Sequence, residues 1–324
     1  MWQRLQKPDL RLANTFSERI WQMEERRPGN FPEFRSNEPL QIYSDYSGSH
    51  CGARFDAYSY LLVQSAGFAQ WEQDRRSIRQ AYGMERRRFA YKALNDQVRA
   101  KALWPWLVAA DDLPGLLVTV LIDKSLGSLF PPADFVTLKT LFPEFSAVKP
   151  ATIERIFRVC HFLSMFVAGL SAPGQHLHWV SDEDEIAANE SRLQLLAWTF
   201  TQVCTMYLGR VPAHVGCDTT GSDDGSLQLE DLASLPDLVA GALTEVQTQQ
   251  IICRSMPESH TPTPIPASIS PKAQPLLHWL SLPDRALRRM VFAVWPAPND
   301  MLYMNKIVFL NGLPDGGVLG EAPA

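Results

Sequence analysis

Two kinds of apolar pattern alternate along the chain. In one, apolar residues recur every three or four positions, and in the other they fill short runs, which together predict helices laid on a sheet. The firmest helix is 152–170, where Ile153, Ile156, Phe157, Cys160, Leu163, Phe166, Val167 and Leu170 keep the i, i+3, i+4 progression of a packed face. Residues 116–122 are β-branched and leucine-rich throughout, which predicts a central strand buried on both faces. Segments 40–45 and 57–63, separated by the Ser- and Gly-rich stretch 46–56, predict a β-hairpin. Further helices are predicted over 68–82, over 95–110 with its continuity limited by Pro105, over 188–208, and from near Ser234 to about 250. Short strands are predicted over 176–181 and 213–217, and an edge strand over 87–94.

The same pattern divides the chain. Residues 1–38, with Pro8, Pro28 and Pro32 around a short helix near 16–25, predict an N-terminal arm lying on the core, and 39–256 form that core. Residues 257–275 hold Pro257, Pro262, Pro264, Pro266, Pro271 and Pro275 among Ser and Thr, the composition of an extended linker. An appendage over 276–312 follows, in which 290–295 and 301–310 predict a terminal hairpin, and 313–324 form a flexible tail. The expected fold class is α/β: a mixed sheet flanked by helices, with an N-terminal arm and a C-terminal hairpin appendage.

Composition narrows the function classes. With 324 residues, 46% hydrophobic and 20% charged, the chain can build an ordinary core without disulfides or metal staples. The five cysteines, Cys51, Cys160, Cys204, Cys217 and Cys253, include no C-x-x-C pair, so reduced thiols are expected. No apolar run, 116–122 with its single Thr119 included, approaches the length of a membrane span, and residues 1–11 carry no secretory pattern, so a cytoplasmic chain with no membrane partner is expected. The net charge of -5 argues against a surface coated for nucleic acid, but the charge is uneven. Nine Lys and Arg lie between Arg75 and Lys101 against only Glu85 and Asp96, a local basic segment in which Arg86, Arg87, Arg88 and Lys92 could contact phosphates or form a solvated face.

Three acids occupy comparable points in this order of elements. Asp45 ends the first strand, Asp182 ends a later one, and Asp237 falls in the first turn of the last core helix. Strand ends and a facing helix start converge on one crevice in an open sheet. Clustered carboxylates need a cation there, and hard oxygen donors suit Mg²⁺ or Mn²⁺, of which two ions could serve an in-line displacement at phosphorus.

These segments resemble a family. Ile42-Tyr43-Ser44-Asp45-Tyr46-Ser47-Gly48 is similar to the strand-ending Asp-Glu-Ser-Gly signature of the domain of unknown function numbered thirty-eight hundred, placed in the ribonuclease-H-like superfamily. Val180-Ser181-Asp182-Glu183 resembles the strand bearing its middle acid, and Pro236-Asp237-Leu238-Val239-Ala240-Gly241-Ala242 its late Ala-Asp-Leu-Ile-Ala-Gly helix motif. The resemblance covers about residues 40–250 and implies a ribonuclease-H-like core with Asp45, Asp182 and Asp237 as catalytic metal ligands of a divalent-metal-dependent nuclease or related phosphodiester hydrolase. It departs at Tyr46, where the family has Glu, and at Tyr91-Lys92, where the family tends to have an acid before the Lys. A catalytically inactive binding or scaffold protein on the same fold is the alternative.

Simpler roles stand beside each of these residues. Asp45 with Ser47-Gly48 could open a turn, residues 182–185 could be an acidic helix start, and Ser234-x-x-Asp237 could be a capping box. Asp231 is the reserve for Asp237, because 227–232 resembles the family's Leu-Gln-Leu-Ala-Asp-Leu; Asp237 is preferred because Pro236 fits a helix start and would break a helix already running from Asp231. His176 and His178 have the spacing of two zinc ligands without a third, Asp123 ends a central strand and could be an additional acid or pair with Lys124, and adjacent His50 and Cys51 would point apart on an extended chain.

Overall fold

The computed structural model describes residues 1–7, 10–128, 130–249, 260–265, 269–298 and 302–310. One eight-stranded mixed sheet runs through it. Its strands are β1 (Leu40–Ser47), β2 (Phe55–Val63), β3 (Gly115–Asp123), β4 (Leu177–Ser181), β5 (Val215–Thr219), β6 (His260–Pro264), β7 (Leu287–Pro296) and β8 (Leu302–Leu310), in the order β5-β4-β1-β2-β3-β7-β8-β6. Strands β1, β2 and β3 form an antiparallel meander. On one side of it β4 and then β5 add in parallel; on the other, β7 lies parallel to β3. β8 returns antiparallel to β7, and β6 lies parallel to β8.

Helices cover both faces, as the unbroken burial of β3 requires. One apolar cluster joins the sheet to α1 (Arg11–Arg26), α5 (Pro150–Leu170) and α6 (Glu190–Leu208). The N-terminal arm belongs to it: Trp2, Leu5, Phe16 and Ile20 are buried, and the Trp2 indole sits where a Cβ on Gly169 of α5 would fall. The opposite face carries α2 (Phe68–Tyr82), α3 (Gln97–Ala110), α7 (Gln228–Gln249) and α8 (Gln274–Ser281). A further helix, α4 (Pro132–Leu141), for which the apolar pattern gave no expectation, packs through Phe135 and Leu138 on a small satellite cluster around Phe145.

Several expectations need correction. Residues 87–94 are not an edge strand: they form a loop ending in a 3₁₀ turn, Tyr91–Ala93, because β7 occupies the position beside β3. The C-terminal hairpin is therefore part of the main sheet, and within the proline-rich stretch His260–Pro264 form its edge strand β6. The strand expected at 213–217 lies two residues later. The tail, 313–324, and Cys253 lie outside the described residues.

Helix α7 begins six residues before the expected start and runs through Pro236. Asp223 makes this start possible by accepting the Leu227 and Leu229 amides, each at 2.8 Å. The proline removes one helical donor, a cost of about 3 kcal/mol in a helix interior, which the anchoring of the preceding turns offsets. Asp231, fully buried, receives Arg75 Nη1 at 3.0 Å and Arg79 Nε at 2.7 Å, with a further contact from Arg79 Nη2. These bonds fasten α2 to α7. Removing one partner of such a buried pair typically costs about 3–5 kcal/mol. Asp231→Ala is accordingly expected to lower unfolding stability by about that amount in urea titrations, whereas Arg86→Ala, on an exposed residue, stays within about 0.5 kcal/mol of the wild type.

Candidate functional site

Asp45 lies on the α7 face of the sheet. Side chains alternate along β1, so Ile42, Ser44 and Tyr46 turn to the α5 side while Tyr43 and Asp45 turn to α7. Tyr46, which stands where the resembled signature has Glu, is thereby directed away from the acids, and its hydroxyl meets Ser44 Oγ at 2.6 Å. Gly48 closes the segment at φ 93°, and a Cβ there would lie 2.1 Å from the Phe55 carbonyl oxygen, so the turn into β2 admits only glycine.

Strand pairing brings the second acid alongside. Ser44 of β1 pairs with Ser181 of β4, so the next residues, Asp45 and Asp182, leave neighbouring parallel strands at the same level. Helix α7 crosses β1 and β2 and supplies the third. The Asp45 and Asp237 carboxyls lie close enough for each to shift the other's affinity for a proton. Burial, then the charges of Asp237 and Asp182, push Asp45 well above the ordinary carboxylate range. Burial also raises Asp237, held back by the Tyr91 amide, which donates to its Oδ2 at 2.6 Å, and by the charge of Lys92.

Asp182 is exposed, and its Oδ1 accepts from Thr220 Oγ1 at 3.1 Å and from the Glu183 amide at 2.9 Å. Its charge is felt at both partners, but its side chain is turned towards the loop after β5. Among the described residues no three His, Cys, Asp or Glu side chains stand as a metal-holding set. The donors are all carboxylate oxygens, the chemistry that suits a hard divalent cation.

The rival assignments resolve on contacts. Asp231 is committed to Arg75 and Arg79. Asp123 pairs with Arg54 at 2.7 Å, and Lys124 turns to Asp56 instead. His178 Nε2 meets Asp218 at 2.7 Å, and the rings of His176 and His214 lie 5.6 Å apart. Ser234 caps nothing, because its hydroxyl donates to the Asp231 carbonyl inside α7.

A fourth acid escaped the sequence analysis. Glu230, seven residues before Asp237 and so on the same side of α7, is 9% exposed and pushed up to about 7, chiefly by burial, against Arg88, with Asp182 adding to the rise. Arg88 Nη2 approaches its Oε1 to 2.9 Å without the alignment of a hydrogen bond. The available signal was the two-turn spacing from Asp237, obscured by the expectation that the helix began later. Of the basic segment, Arg87 pairs with Asp96 and Arg88 with Glu230, whereas Arg86 and Lys92 are exposed and make no ion pair among the described residues.

No protein-family model, no curated protein and no solved structure matches the chain. Among the described residues no helix is long and apolar enough to cross a membrane.

The raised Asp45 has a sign that can be tested. The folded state holds this proton more tightly than the unfolded chain, so the contribution of Asp45 to stability is fully present below the ordinary aspartate range, near 3.9, and is lost as pH rises through the elevated value. Asp45→Asn, which removes the charge, is expected to melt at a higher temperature than the wild type at neutral pH without divalent ions, and to show a shallower loss of stability with rising pH. A variant melting below the wild type throughout would contradict this.

Proposed function

We propose that the chain is a divalent-metal-dependent phosphoryl-transfer enzyme, a nuclease acting on nucleic acid, with Asp45, Asp182 and Asp237 as its metal ligands. The observation that carries the proposal is the convergence of these acids, Asp45 and Asp182 from the ends of β1 and β4 and Asp237 from the middle of α7, with Asp45 and Asp237 close enough to raise the proton affinity of Asp45. The path of the chain supports it: an antiparallel meander continued by two parallel strands through helical crossovers, in the order β5-β4-β1-β2-β3, suits a ribonuclease-H-like core.

The ion, Mg²⁺ or Mn²⁺, would polarise the phosphodiester and stabilise the charge developing on its oxygens. Asp45 and Asp237 would hold it from the floor and Asp182 from the rim. Asp237 is kept in place by the Tyr91 amide. The exposed Arg86 and Lys92 give the substrate backbone two cations not already committed to protein carboxylates; Arg87 and Arg88 must leave Asp96 and Glu230 to take part.

A second function has one observation in its favour. The three acids do not stand as a ready metal-holding set, which suits a binding or scaffold protein on the same fold. Incubation with labelled single-stranded, duplex and hybrid nucleic acids in Mn²⁺ or Mg²⁺ separates the two. The enzyme cleaves one class, and Asp45→Asn or Asp237→Asn lowers the rate by at least about 100-fold, the order lost with a single group that stabilises transition-state charge. Arg86→Ala and Lys92→Ala each weaken binding and reduce the slope of log affinity against log salt by about 0.7–0.9. Binding without cleavage by the wild type would select the scaffold.

A further inference from the structure

Tyr91 lies along one row of α7 and meets it at three points. Its amide N–H donates to Asp237 Oδ2 at 2.6 Å, and its hydroxyl donates to Glu245 Oε2 at 2.6 Å. Between them its ring rests on Gly241, where an added Cβ would fall 2.4 Å from ring carbons Cγ and Cδ1. Positions 237, 241 and 245 are spaced i, i+4, i+8, so they stack one above another on a single side of the helix. Lys272 completes the arrangement, with Nζ 4.2 Å from the ring centroid and 3.5 Å from Glu245.

Glycine inside a helix is unfavourable, and at Gly241 the close approach of an aromatic ring accounts for it. Without a fixed donor the Asp237 carboxylate could turn about its side-chain torsions; the amide ties one oxygen and so restricts where the other faces. The neighbouring residue, Lys92, is exposed and is carried on the same 3₁₀ turn.

We propose that Tyr91 is the positioning residue of the acid cluster, a splint laid along α7 that sets the carboxylate of Asp237, with Gly241 as the position that admits it. The inference rests on the reading of Asp45, Asp182 and Asp237 as a cation site. It assigns Tyr91 no contact with substrate; its effect passes through Asp237.

Two substitutions at one position isolate the amide. Tyr91→Ala removes the ring and keeps the N–H, whereas Tyr91→Pro removes both. Proline is compatible here because Ala90 is extended, at φ -155° and ψ 141°, and residue 91 opens a helical turn. Mn²⁺ affinity of the full chain is measured by calorimetry, with circular dichroism melts to confirm folding. Tyr91→Pro is expected to bind Mn²⁺ at least tenfold more weakly than Tyr91→Ala. Gly241→Ala is expected to lose at least tenfold in the wild-type background and almost nothing on top of Tyr91→Gly, since the methyl then meets neither the ring nor the Tyr91 Cβ, which would otherwise lie 2.7 Å away. Equal affinities for Tyr91→Pro and Tyr91→Ala, or the same Gly241→Ala loss in both backgrounds, would overturn the splint.

Absence of Mn²⁺ binding by the wild type would instead remove the cation reading. Hydrogen exchange at the Tyr91 amide then decides the splint alone. Slow exchange in the wild type and fast exchange in Asp237→Ala uphold it as a positioning contact, and fast exchange in both overturns it.

Discussion

Two half-buried carboxyl groups, Asp45 and Asp237, are brought close to each other, and the surrounding structure is arranged so that they stay there. Two ionised carboxylates about 4 Å apart at an effective dielectric near 20 repel by about 4 kcal/mol, so a fold that forces the contact must keep a proton or acquire a cation. The contact follows from the placement of α7 across β1 and β2, and α7 is pinned from the far side by the burial of Asp231 between Arg75 and Arg79. The same helix carries a proline within it and a glycine under the Tyr91 ring. Both are unfavourable in a helix taken alone, and both sit close to the acid in sequence. Stability given up locally is recovered in the ion pairs and the apolar face of α7, a distribution expected where a site works against its scaffold.

Electrostatics grade outward from this pair. Asp45 is pushed well above the ordinary carboxylate range by burial and by its neighbours, Asp182 is exposed on the rim, and Glu230 balances between burial and Arg88. The exposed cations Arg86 and Lys92 lie in the loop that also brings the Tyr91 amide to Asp237. An anionic polymer guided by such a loop would meet the acids only if something positive stood between them, which links the proposed cation to the proposed substrate.

Much of the frame was legible in the apolar pattern. Helix α2 has the expected bounds, the 152–170 progression is α5 less its first two residues, and β3 is buried at every position as its largely apolar character implied. Long-range competition was not legible. Residues 87–94 carry a mixed pattern that local rules allow as a strand, but β7, from more than 190 residues later, takes the place beside β3. Pro236 misled in a more instructive way. Local rules put a helix start there and so favoured Asp237 over Asp231; the helix in fact runs through the proline, and Asp237 meets Asp45 because of the packing of α7. Asp231 is withdrawn from chemistry by two arginines more than 150 residues away in sequence, a partnership that no spacing rule reveals. Glu230 was missed for the same reason, since only a helix already formed at residue 228 aligns it with Asp237.

The central claim is that Asp45 and Asp237 together form a cation site. Its most direct test is anomalous diffraction from crystals of the full chain grown with Mn²⁺. The account predicts a peak at roughly 2.0–2.3 Å from carboxylate oxygens of both Asp45 and Asp237, with Asp182 in the same coordination sphere directly or through water. Strong density for the two carboxyls, with no anomalous peak between them at millimolar Mn²⁺, would contradict it.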